Sequence, residues 1–338
     1  MKQRNAFLLL GHLASVHALS SASALNLYWD SEGSGFNWNS AGNGGNWSYY
    51  NSGYFYASAP PTSADFVILG WLESPTTINV TPGATAHSLW VADGEATLNL
   101  QSNTLTLVDD PTAGSGYDGV LHANNGTFGL SQLLVGFSNG ANGSADFTNG
   151  NLNSLEFSVI GFDGSLGTVD LDAGTTWNAG AKNVMVGHTG GTGFLNLTDA
   201  TASLTSVDQL TVGYSQTAPT EPAVGTVQIG GGSISSVTGN MGGSQGSWGG
   251  ATVSGPDSTW NNSSYFSVGD FGSGELTIES GGLVSNTRGD VGYASTANGT
   301  ATVTGPGSRW ENSESLWIGR TDRSRWRQGH ISVCVDGQ

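Results

Sequence analysis

Gly249-Gly-Ala251-Thr-Val253 recurs 25 residues later as Gly274-Glu-Leu276-Thr-Ile278 and, after 25 more, as Gly299-Thr-Ala301-Thr-Val303. Each copy begins with glycine and then places small or aliphatic residues at alternating positions, which is the pattern of a strand with one buried face. Four earlier copies follow the same rule: Gly143-Ser-Ala145-Asp-Phe147, Gly167-Thr-Val169-Asp-Leu171, Gly193-Phe-Leu195-Asn-Leu197 and Gly225-Thr-Val227-Gln-Ile229. A short strand that repeats at this spacing is typical of a solenoid.

A second phrase, an aliphatic residue followed by glycine, lies between these copies and recurs at a similar spacing. It occurs at Val135-Gly136, Ile160-Gly161, Val186-Gly187, Val212-Gly213, Met241-Gly242, Val268-Gly269, Val291-Gly292 and Ile318-Gly319. A third strand-like piece, such as Gly282-Leu-Val284, completes the repeat. Strands this short do not bury a core as hairpins. We therefore predict an all-β fold, a parallel β-helix (solenoid) with three short strands in each coil of about 26 residues.

A β-propeller is the alternative architecture, because Trp260 and Trp310 also define a period of 50 residues. A propeller blade needs about 40 or more residues and four strands, whereas the alternating phrase occurs twice in each 50-residue interval. The pattern thus favours two coils per interval. It predicts that Trp260 and Trp310 lie on one face of the solenoid, two rungs apart.

The composition supports a β protein and limits its partners. Of 338 residues, 53 are glycine, nine are basic and 26 are acidic, which gives a net charge of −17. Between Leu25 and Gly319 the basic residues are Lys182, Arg288 and Arg309, against 24 acidic ones. Such a surface repels nucleic acid and anionic lipid. We interpret the acidity as that of a soluble extracellular surface, with calcium binding as the alternative, because carboxylates suit hard cations.

The segment before Leu25 has the features of an export signal. Lys2 and Arg4 precede a largely apolar stretch, and Ala22-Ser-Ala24 fits a cleavage site before Leu25. We therefore predict a signal peptide over residues 1–24. No other segment has 18 consecutive apolar residues, so we expect no helical membrane span in the mature chain. The sole cysteine, Cys334, excludes an internal disulfide.

Residues 25–85 differ from the repeats and are rich in aromatic residues, among them Trp29, Trp38 and Trp47. The end of a solenoid exposes strand edges that atypical units must cover. We predict that this stretch is an N-terminal cap. A cluster of exposed aromatic rings that stacks on sugars is the alternative. The regular repeats are then predicted over residues 86–319.

The best copies share a longer phrase, since Thr252-Val-Ser-Gly-Pro-Asp-Ser-Thr-Trp260-Asn-Asn is matched by Thr302-Val-Thr-Gly-Pro-Gly-Ser-Arg-Trp310-Glu-Asn. These repeats resemble those of bacterial autotransporter (type V secretion) passengers and of PEP-CTERM-associated surface proteins. The resemblance covers about residues 25 to 319. It implies a right-handed parallel β-helix, displayed on the outer-membrane surface of a Gram-negative bacterium or released outside the cell.

After Gly319 the composition changes. Arg320, Arg323, Arg325 and Arg327 are four of the nine basic residues of the chain, and the glycine-led phrase is absent from the window in which the next coil would place it. Arginine at inward positions of an apolar interior costs several kcal/mol per group. We therefore predict that residues 320–338 are an aberrant basic tail, disordered or truncated, which leaves the solenoid near Arg320.

Two matches to catalytic or cofactor motifs have no supporting context. Gly242-Gly-Ser244-Gln-Gly246 fits a nucleophile elbow and Gly114-Ser-Gly116-Tyr-Asp-Gly119 fits a dinucleotide loop, but neither is followed by a predicted helix. His87, His122 and His188 lack metal-ligand spacing. We therefore assign no catalytic, cofactor-binding or metal-binding residue.

The sequence favours an exported, non-enzymatic protein of surface display or adhesion, expected to be a monomer, with glycans or host-cell surface components as partners. The alternative is a β-helical polysaccharide lyase or glycoside hydrolase. Inverting glycosidases use two carboxyl groups about 6.5–9.5 Å apart, and rungs lie about 4.8 Å apart. Asp170 and Asp172 with Glu156 are the acids considered for that role.

Overall fold

The computed structural model describes residues 26–29, 38, 47–48, 60–69, 72, 75–91, 94–108, 112–115, 119–138, 140–319 and 328–334. Within these ranges all regular secondary structure is β-strand, and each strand of the coils pairs in parallel with strands about 25 residues away. The result is a β-solenoid of about nine turns. The propeller alternative is therefore wrong, and the predicted fold class is confirmed. The described ranges contain no helix that could cross a membrane.

One sheet of the described chain holds 11 strands, stacked in the order of the sequence. We call it the glycine-led sheet, because the glycines that open the alternating phrase lie in register: Gly249 is paired with Gly225 on one side and Gly274 on the other. Its strands are Thr76–Asn79, Gly94–Asn99, Gly119–Asn124, Asn142–Thr148, Leu166–Leu171, Thr192–Leu197, Val224–Ile229, Trp248–Ser254, Ser273–Glu279, Asn298–Thr304 and Gln328–Cys334.

The other sheet holds 18 strands and forms the two remaining faces of each coil. Several of its strands, such as Thr176–His188, continue from one face to the next. Its strands are Asn26–Trp29, Trp47–Ser48, Phe66–Leu69, Thr85–Ala86, Ser88–Val91, Thr104–Leu107, Thr112–Ser115, Thr127–Leu130, Leu134–Ser138, Asn151–Ser154, Ser158–Phe162, Thr176–His188, Ser203–Tyr214, Ser233–Met241, Thr259–Asn262, Tyr265–Val268, Leu283–Val291 and Arg309–Ile318.

The core is a set of columns in which each coil places an apolar side chain over that of the coil before. In one column Trp260 is paired with Val284, and Val284 with Trp310. The two tryptophans are thus two rungs apart on one face, as the 50-residue period predicts. Trp260 is completely buried, and its ring packs edge-on against Phe266 at a centroid distance of 4.8 Å.

The two glycine phrases recur because they touch each other where the coils stack. A Cβ atom added to Gly213 would lie 2.0 Å from the carbonyl oxygen of Trp248, and one added to Gly249 would lie 2.2 Å from that of Val212. Gly213 also has a φ of +72°, a conformation in which other residues are strained. No side chain fits between these strands, so the sequence keeps glycine at both positions.

The N-terminal stretch already contains rungs of the solenoid. Phe66–Leu69 and Thr76–Asn79 pair in register with Ser88–Val91 and Gly94–Asn99, so stacking begins before residue 86 and the boundary predicted there is too late. The strand Asn26–Trp29 extends the stack by one more rung. Its other edge pairs with Trp47–Ser48 in an antiparallel manner, which covers the edge as a cap does.

The prediction that the chain leaves the solenoid near Arg320 is wrong for residues 328–334. Gln328–Cys334 pairs in parallel with Asn298–Thr304, and Gly329 lies in register with Gly299. The coil between these two glycines is longer than the two coils before it, so its glycine-led phrase comes later than the expected window. The four arginines of the tail lie outside the described residues, as does the predicted signal peptide.

Candidate ligand-binding cleft

A cleft of about 540 Å³ lies on the outer side of the last coils, on the face that carries Tyr265–Val268 and the second half of Leu283–Val291. One register position of the strands beside the cleft is polar on three rungs. Asn240, Ser267 and Asp290 are stacked on consecutive rungs of this face. Ser267 and Asp290 are fully buried although they are polar. Buried polar groups at this density are unusual for a surface that only has to be soluble.

Three aromatic rings line the cleft. Tyr293 meets both Tyr265 and Phe271 edge-on, with centroid distances of 6.3 and 6.1 Å. Phe271 is 47% exposed, so its ring is open to solvent. Phe271 and Tyr293 are held by the turns after two aliphatic-glycine phrases, in which Gly269 and Gly292 have positive φ values. The turn geometry of the repeat therefore projects these rings beside the strand face.

Among the described residues that line the cleft, Arg288 is the only basic one, and its charge is already matched. Its guanidinium donates to Asp290 Oδ2 at 2.8 Å and lies 5.4 Å from the centre of the Tyr265 ring. The hydrogen bond with Asp290 raises the pKa of Arg288 further. Burial raises the pKa of the Tyr265 hydroxyl well above its usual range, so this hydroxyl stays protonated and can donate.

Asp270 lines the cleft, is partly exposed and has a raised pKa. Burial is the first cause that raises its pKa to about 7, and the nearby charge of Asp290 is the second. Glu314 also lines the cleft and is exposed. Asp290, in contrast, has no exposed side-chain surface. A ligand can therefore reach the carboxyl groups of Asp270 and Glu314 but not that of Asp290.

Two buried polar atoms of the residues that line the cleft have no hydrogen-bond partner in the described part of the chain: Oδ1 of Asn240 and Nε of Arg288. An unpaired buried polar group costs about 1–3 kcal/mol. One of these atoms is an acceptor and the other a donor. A ligand that carries hydroxyl groups could satisfy both, because a hydroxyl donates and accepts.

A ladder of aromatic side chains leads towards the cleft. It uses the residue that follows each aliphatic-glycine phrase, and its members are Phe137, Phe162, His188 and Tyr214, with successive centroid distances of 5.0, 5.2 and 5.5 Å. The first two rings are nearly parallel, at 16°. The facing surfaces of Phe137 and Phe162 therefore cover each other. The next coil has Gly243 at this position, where the ladder ends.

The N-terminal tryptophans that formed the alternative sugar platform are buried. Trp38 and Trp47 have no exposed surface, and Trp29 is 7% exposed. Trp47 packs edge-on against both of the others, at 5.0 and 5.2 Å. These three side chains therefore belong to the core at the N-terminal end. The tyrosines at positions 49, 50, 54 and 56 lie outside the described residues.

The two stretches that match a nucleophile elbow and a dinucleotide loop have structural roles in the solenoid. Ser244 accepts a hydrogen bond from the backbone of Ser215 at 2.7 Å and lies 2.9 Å from the hydroxyl of Ser247, so it pins a turn between coils. Gly119 opens a strand of the glycine-led sheet, in register with Gly94 and Gly143. Gly119-Val-Leu121-His-Ala123 is therefore a further copy of the glycine-led phrase.

The three histidines lie apart. His87 packs on Phe66, His188 belongs to the aromatic ladder, and His122 stands on the glycine-led sheet. His122 lies 3.2 Å from Glu95 and 2.7 Å from Asp146. Among the described residues, no three His, Cys, Asp or Glu side chains are arranged so as to hold a metal ion.

The acids considered for glycoside hydrolysis are not brought together. Asp170 accepts a hydrogen bond from Asn196 at 2.6 Å, and Asp172 accepts one from Thr198 at 2.6 Å, so both belong to ladders on the glycine-led sheet. Glu156 lies at another corner of the coil, 3.4 Å from Lys182. Burial, and then a hydrogen bond with Asp170, raises the pKa of Asp146 to about 6, which marks this ladder as crowded with acids.

No cleft residue was predicted as a site from the sequence, yet two signals point to this region. Arg288 is one of only three basic residues between Leu25 and Gly319. The residue after the aliphatic-glycine phrase is aromatic in the early coils, changes to Gly243 and Asp270, and is aromatic again at Tyr293. A break in a repeated position is a signal of function in a solenoid, since one face often carries the site.

Fold and cleft together define a parallel β-solenoid with a candidate ligand-binding cleft on its outer surface. No protein-family model, no curated protein and no solved structure matches this chain.

Proposed function

We propose that this protein is an exported, non-enzymatic surface or passenger protein that acts in adhesion by binding a glycan in the cleft around Tyr265 and Tyr293. The observation that carries the proposal is the combination of aromatic rings with unpaired buried polar atoms at one place. Aromatic faces stack on the apolar faces of sugar rings, while Asn240 and Arg288 provide an acceptor and a donor for hydroxyl groups.

The non-enzymatic part of the proposal is supported by the pairing of Arg288 and by the burial of Asp290, which leaves only Asp270 and Glu314 as carboxyl groups at the cleft that a substrate can reach. Hydrolysis of a glycosidic bond needs two carboxyl groups that reach the substrate from either side of the bond. Asp290 has no exposed side-chain surface and is bonded to Arg288. Lyase chemistry on acidic sugars needs a free base, whereas the one base at the cleft is already paired.

A polysaccharide hydrolase is the second candidate, and one observation favours it. The pKa of Asp270 is raised to about 7, which suits a general acid. Glu314 lines the same cleft and could act as the second carboxyl group.

A glycan array combined with a polysaccharide digestion screen, with and without calcium, tests both candidates. We expect saturable binding without turnover. Tyr293→Ala should reduce binding, whereas Tyr214→Ala should not, because Tyr214 has the same residue type in the same column but lies outside the cleft. If the wild-type protein cleaves a polysaccharide and Asp270→Asn does not, the protein is a hydrolase and the adhesion proposal is wrong. A protein that binds no glycan would contradict the proposal.

Export is a separate part of the proposal and is tested separately. In a Gram-negative host, we expect the full-length chain to leave the cytoplasm and the mature protein to begin at Leu25. N-terminal sequencing of the secreted or surface fraction measures this directly. A product that retains Met1 in the cytoplasm would contradict export without affecting the glycan-binding proposal.

A further inference from the structure

The charges at the cleft limit which ligands it accepts. Among the described residues that line the cleft, Asp270 and Glu314 are the acids and Arg288 is the only base. Asp290 neutralises Arg288 at 2.8 Å. The remaining charge is negative, and the whole chain has a net charge of −17. Uronic acids and sulfated sugars would therefore be repelled, while a positive group would be attracted.

The rings at the cleft can also hold a positive group. The face of an aromatic ring carries negative potential, and a cation within about 6 Å of its centre is stabilised. The guanidinium of Arg288, 5.4 Å from the centre of the Tyr265 ring, already uses one ring in this way. Phe271 and Tyr293 meet at 74°, so their surfaces form two walls of a corner.

Asp270 lines the same cleft and carries a carboxyl group that lacks a counter-charge among the described residues. It follows directly after Val268-Gly269 and precedes Phe271 in the same turn. The groups around it are the acids Asp290 and Glu314, the phenols of Tyr265 and Tyr293, and the paired Arg288. Within the described part of the chain, no base offsets the burial of Asp270 and the repulsion from Asp290.

We propose that the cleft recognises a cationic amino sugar, with its ammonium group held between the rings of Phe271 and Tyr293 and the carboxylate of Asp270. This inference rests on the proposed glycan-binding function and specifies its ligand. The hydroxyl groups of the same sugar pair with Asn240 and Arg288, and the ammonium supplies the counter-charge that Asp270 lacks.

Two tetrasaccharides test the inference by calorimetry on the mature protein: β-1,4-linked glucosamine and its fully N-acetylated form. They share length and linkage and differ at nitrogen, which is a charged ammonium group in the first and a neutral acetamide in the second. We expect the glucosamine form to bind at least about tenfold more tightly. Asp270→Asn should remove most of this preference. Asp257→Asn is the matched control, because it removes the same charge from an exposed turn away from the cleft.

The pH dependence gives a second readout. A cation beside Asp270 favours its ionised form, so binding near pH 6 should release a proton from the wild-type protein. Titrations in buffers of different ionisation enthalpy measure this release, and Asp270→Asn should lack it. The Asp270 carboxylate also favours the protonated form of the amine, so the free ligand must already be fully protonated at the pH that is used. Phe271→Ala, at an exposed position, should also weaken glucosamine binding. This variant replaces Asp270→Asn in the test if Asp270→Asn does not fold.

The outcomes separate the two proposals. Equal affinity of the wild-type protein for the two tetrasaccharides overturns the amino-sugar inference and leaves glycan binding intact. An equal loss of glucosamine affinity in Asp270→Asn and Asp257→Asn does the same. Equal losses would show that the acidic surface attracts the ligand non-specifically. Failure of the wild-type protein to bind either tetrasaccharide overturns the inference, and failure to bind any glycan on the array overturns the proposed function as well.

Discussion

The indole Nε1 of Trp260 donates a hydrogen bond to Oγ of Ser236, 3.2 Å away and one coil earlier. The same relationship occurs twice more: Trp310 donates to Asn286 at 2.6 Å, and Trp177 donates to Ser154 at 2.9 Å. Each pair spans adjacent coils inside the apolar interior. The polar partner satisfies an indole that burial would otherwise leave unpaired.

Ser236→Ala should lower the free energy of unfolding by about 1–3 kcal/mol, because it leaves the indole of Trp260 buried without an acceptor. Ser236 also donates to Asn262 at 2.7 Å, so the loss affects two partners. The midpoint of urea unfolding measures the effect. Ser235→Ala, at the exposed neighbouring position, should leave the midpoint unchanged. Equal midpoints for wild type and Ser236→Ala would show that the bond contributes nothing to stability.

Gly213→Ala should destabilise the solenoid far more than Gly164→Ala. Both glycines have positive φ, at +72° and +74°, so both substitutions add strain of about 1–2 kcal/mol. At Gly164 nothing lies within 4 Å of an added Cβ, whereas at Gly213 the carbonyl oxygen of Trp248 would lie 2.0 Å away. We expect a total loss above about 4 kcal/mol for Gly213→Ala. Thermal unfolding measures the difference, and similar losses for the two variants would refute the contact argument.

Trp38→Ala should loosen the N-terminal coils and leave the distal ones unaffected. Trp38 is fully buried and packs against Trp47, and coils of a solenoid contact only their neighbours. Hydrogen exchange should therefore become faster in Phe66–Leu69 but not in Tyr265–Val268. Trp260→Ala is the reciprocal control and should give the reverse pattern. Faster exchange along the whole chain in both variants would indicate one cooperative unit.

The stability of the protein should fall as the pH rises from about 4 to 7, in part because of Asp270. The pKa of Asp270 is about 7 in the folded chain and 3.8 as its ordinary value. The folded state therefore binds this proton more tightly than the unfolded state, and ionisation opposes folding. The stabilising effect of the protonated Asp270 carboxyl group is complete below pH 3.8 and is lost as the pH passes 7.

Asp270→Asn should remove this part of the pH dependence, because asparagine does not titrate. The difference in melting temperature between variant and wild type should grow in favour of the variant between about pH 4 and 7. Asp208→Asn, at an exposed position, is the control for the loss of one negative charge. A constant difference for Asp270→Asn would mean that the folded state does not shift the pKa of this carboxyl group.

The architecture was predictable because the sequence repeats the physical requirement of each rung. Alternation places Val253 and Ile278 on the buried face, and the glycines at 213 and 249 are needed wherever backbone meets backbone. The limits of the solenoid were predicted less well. The last described coil, in which Gly329 comes into register with Gly299, is longer than the average repeat, and a fixed period does not find it.

The cleft depends on tertiary structure, because its residues are far apart in the sequence and belong to no motif. Asn240, Ser267 and Asp290 lie on three successive coils, and only the register of the strands stacks them beside the cleft. Burial of Asp270 and its repulsion from Asp290 arise in the same way, from stacking.

The sequence by itself determined the strand type, the coil length and the inward positions, since these follow from periodicity within a single coil and its repetition. Only the tertiary structure decided which outward residues meet across coils. The physical reason is that inward positions obey one rule in every coil, the burial of apolar surface, whereas outward positions are free to vary. Their chemistry becomes specific only when register brings Tyr265, Asp270 and Tyr293 together at one cleft.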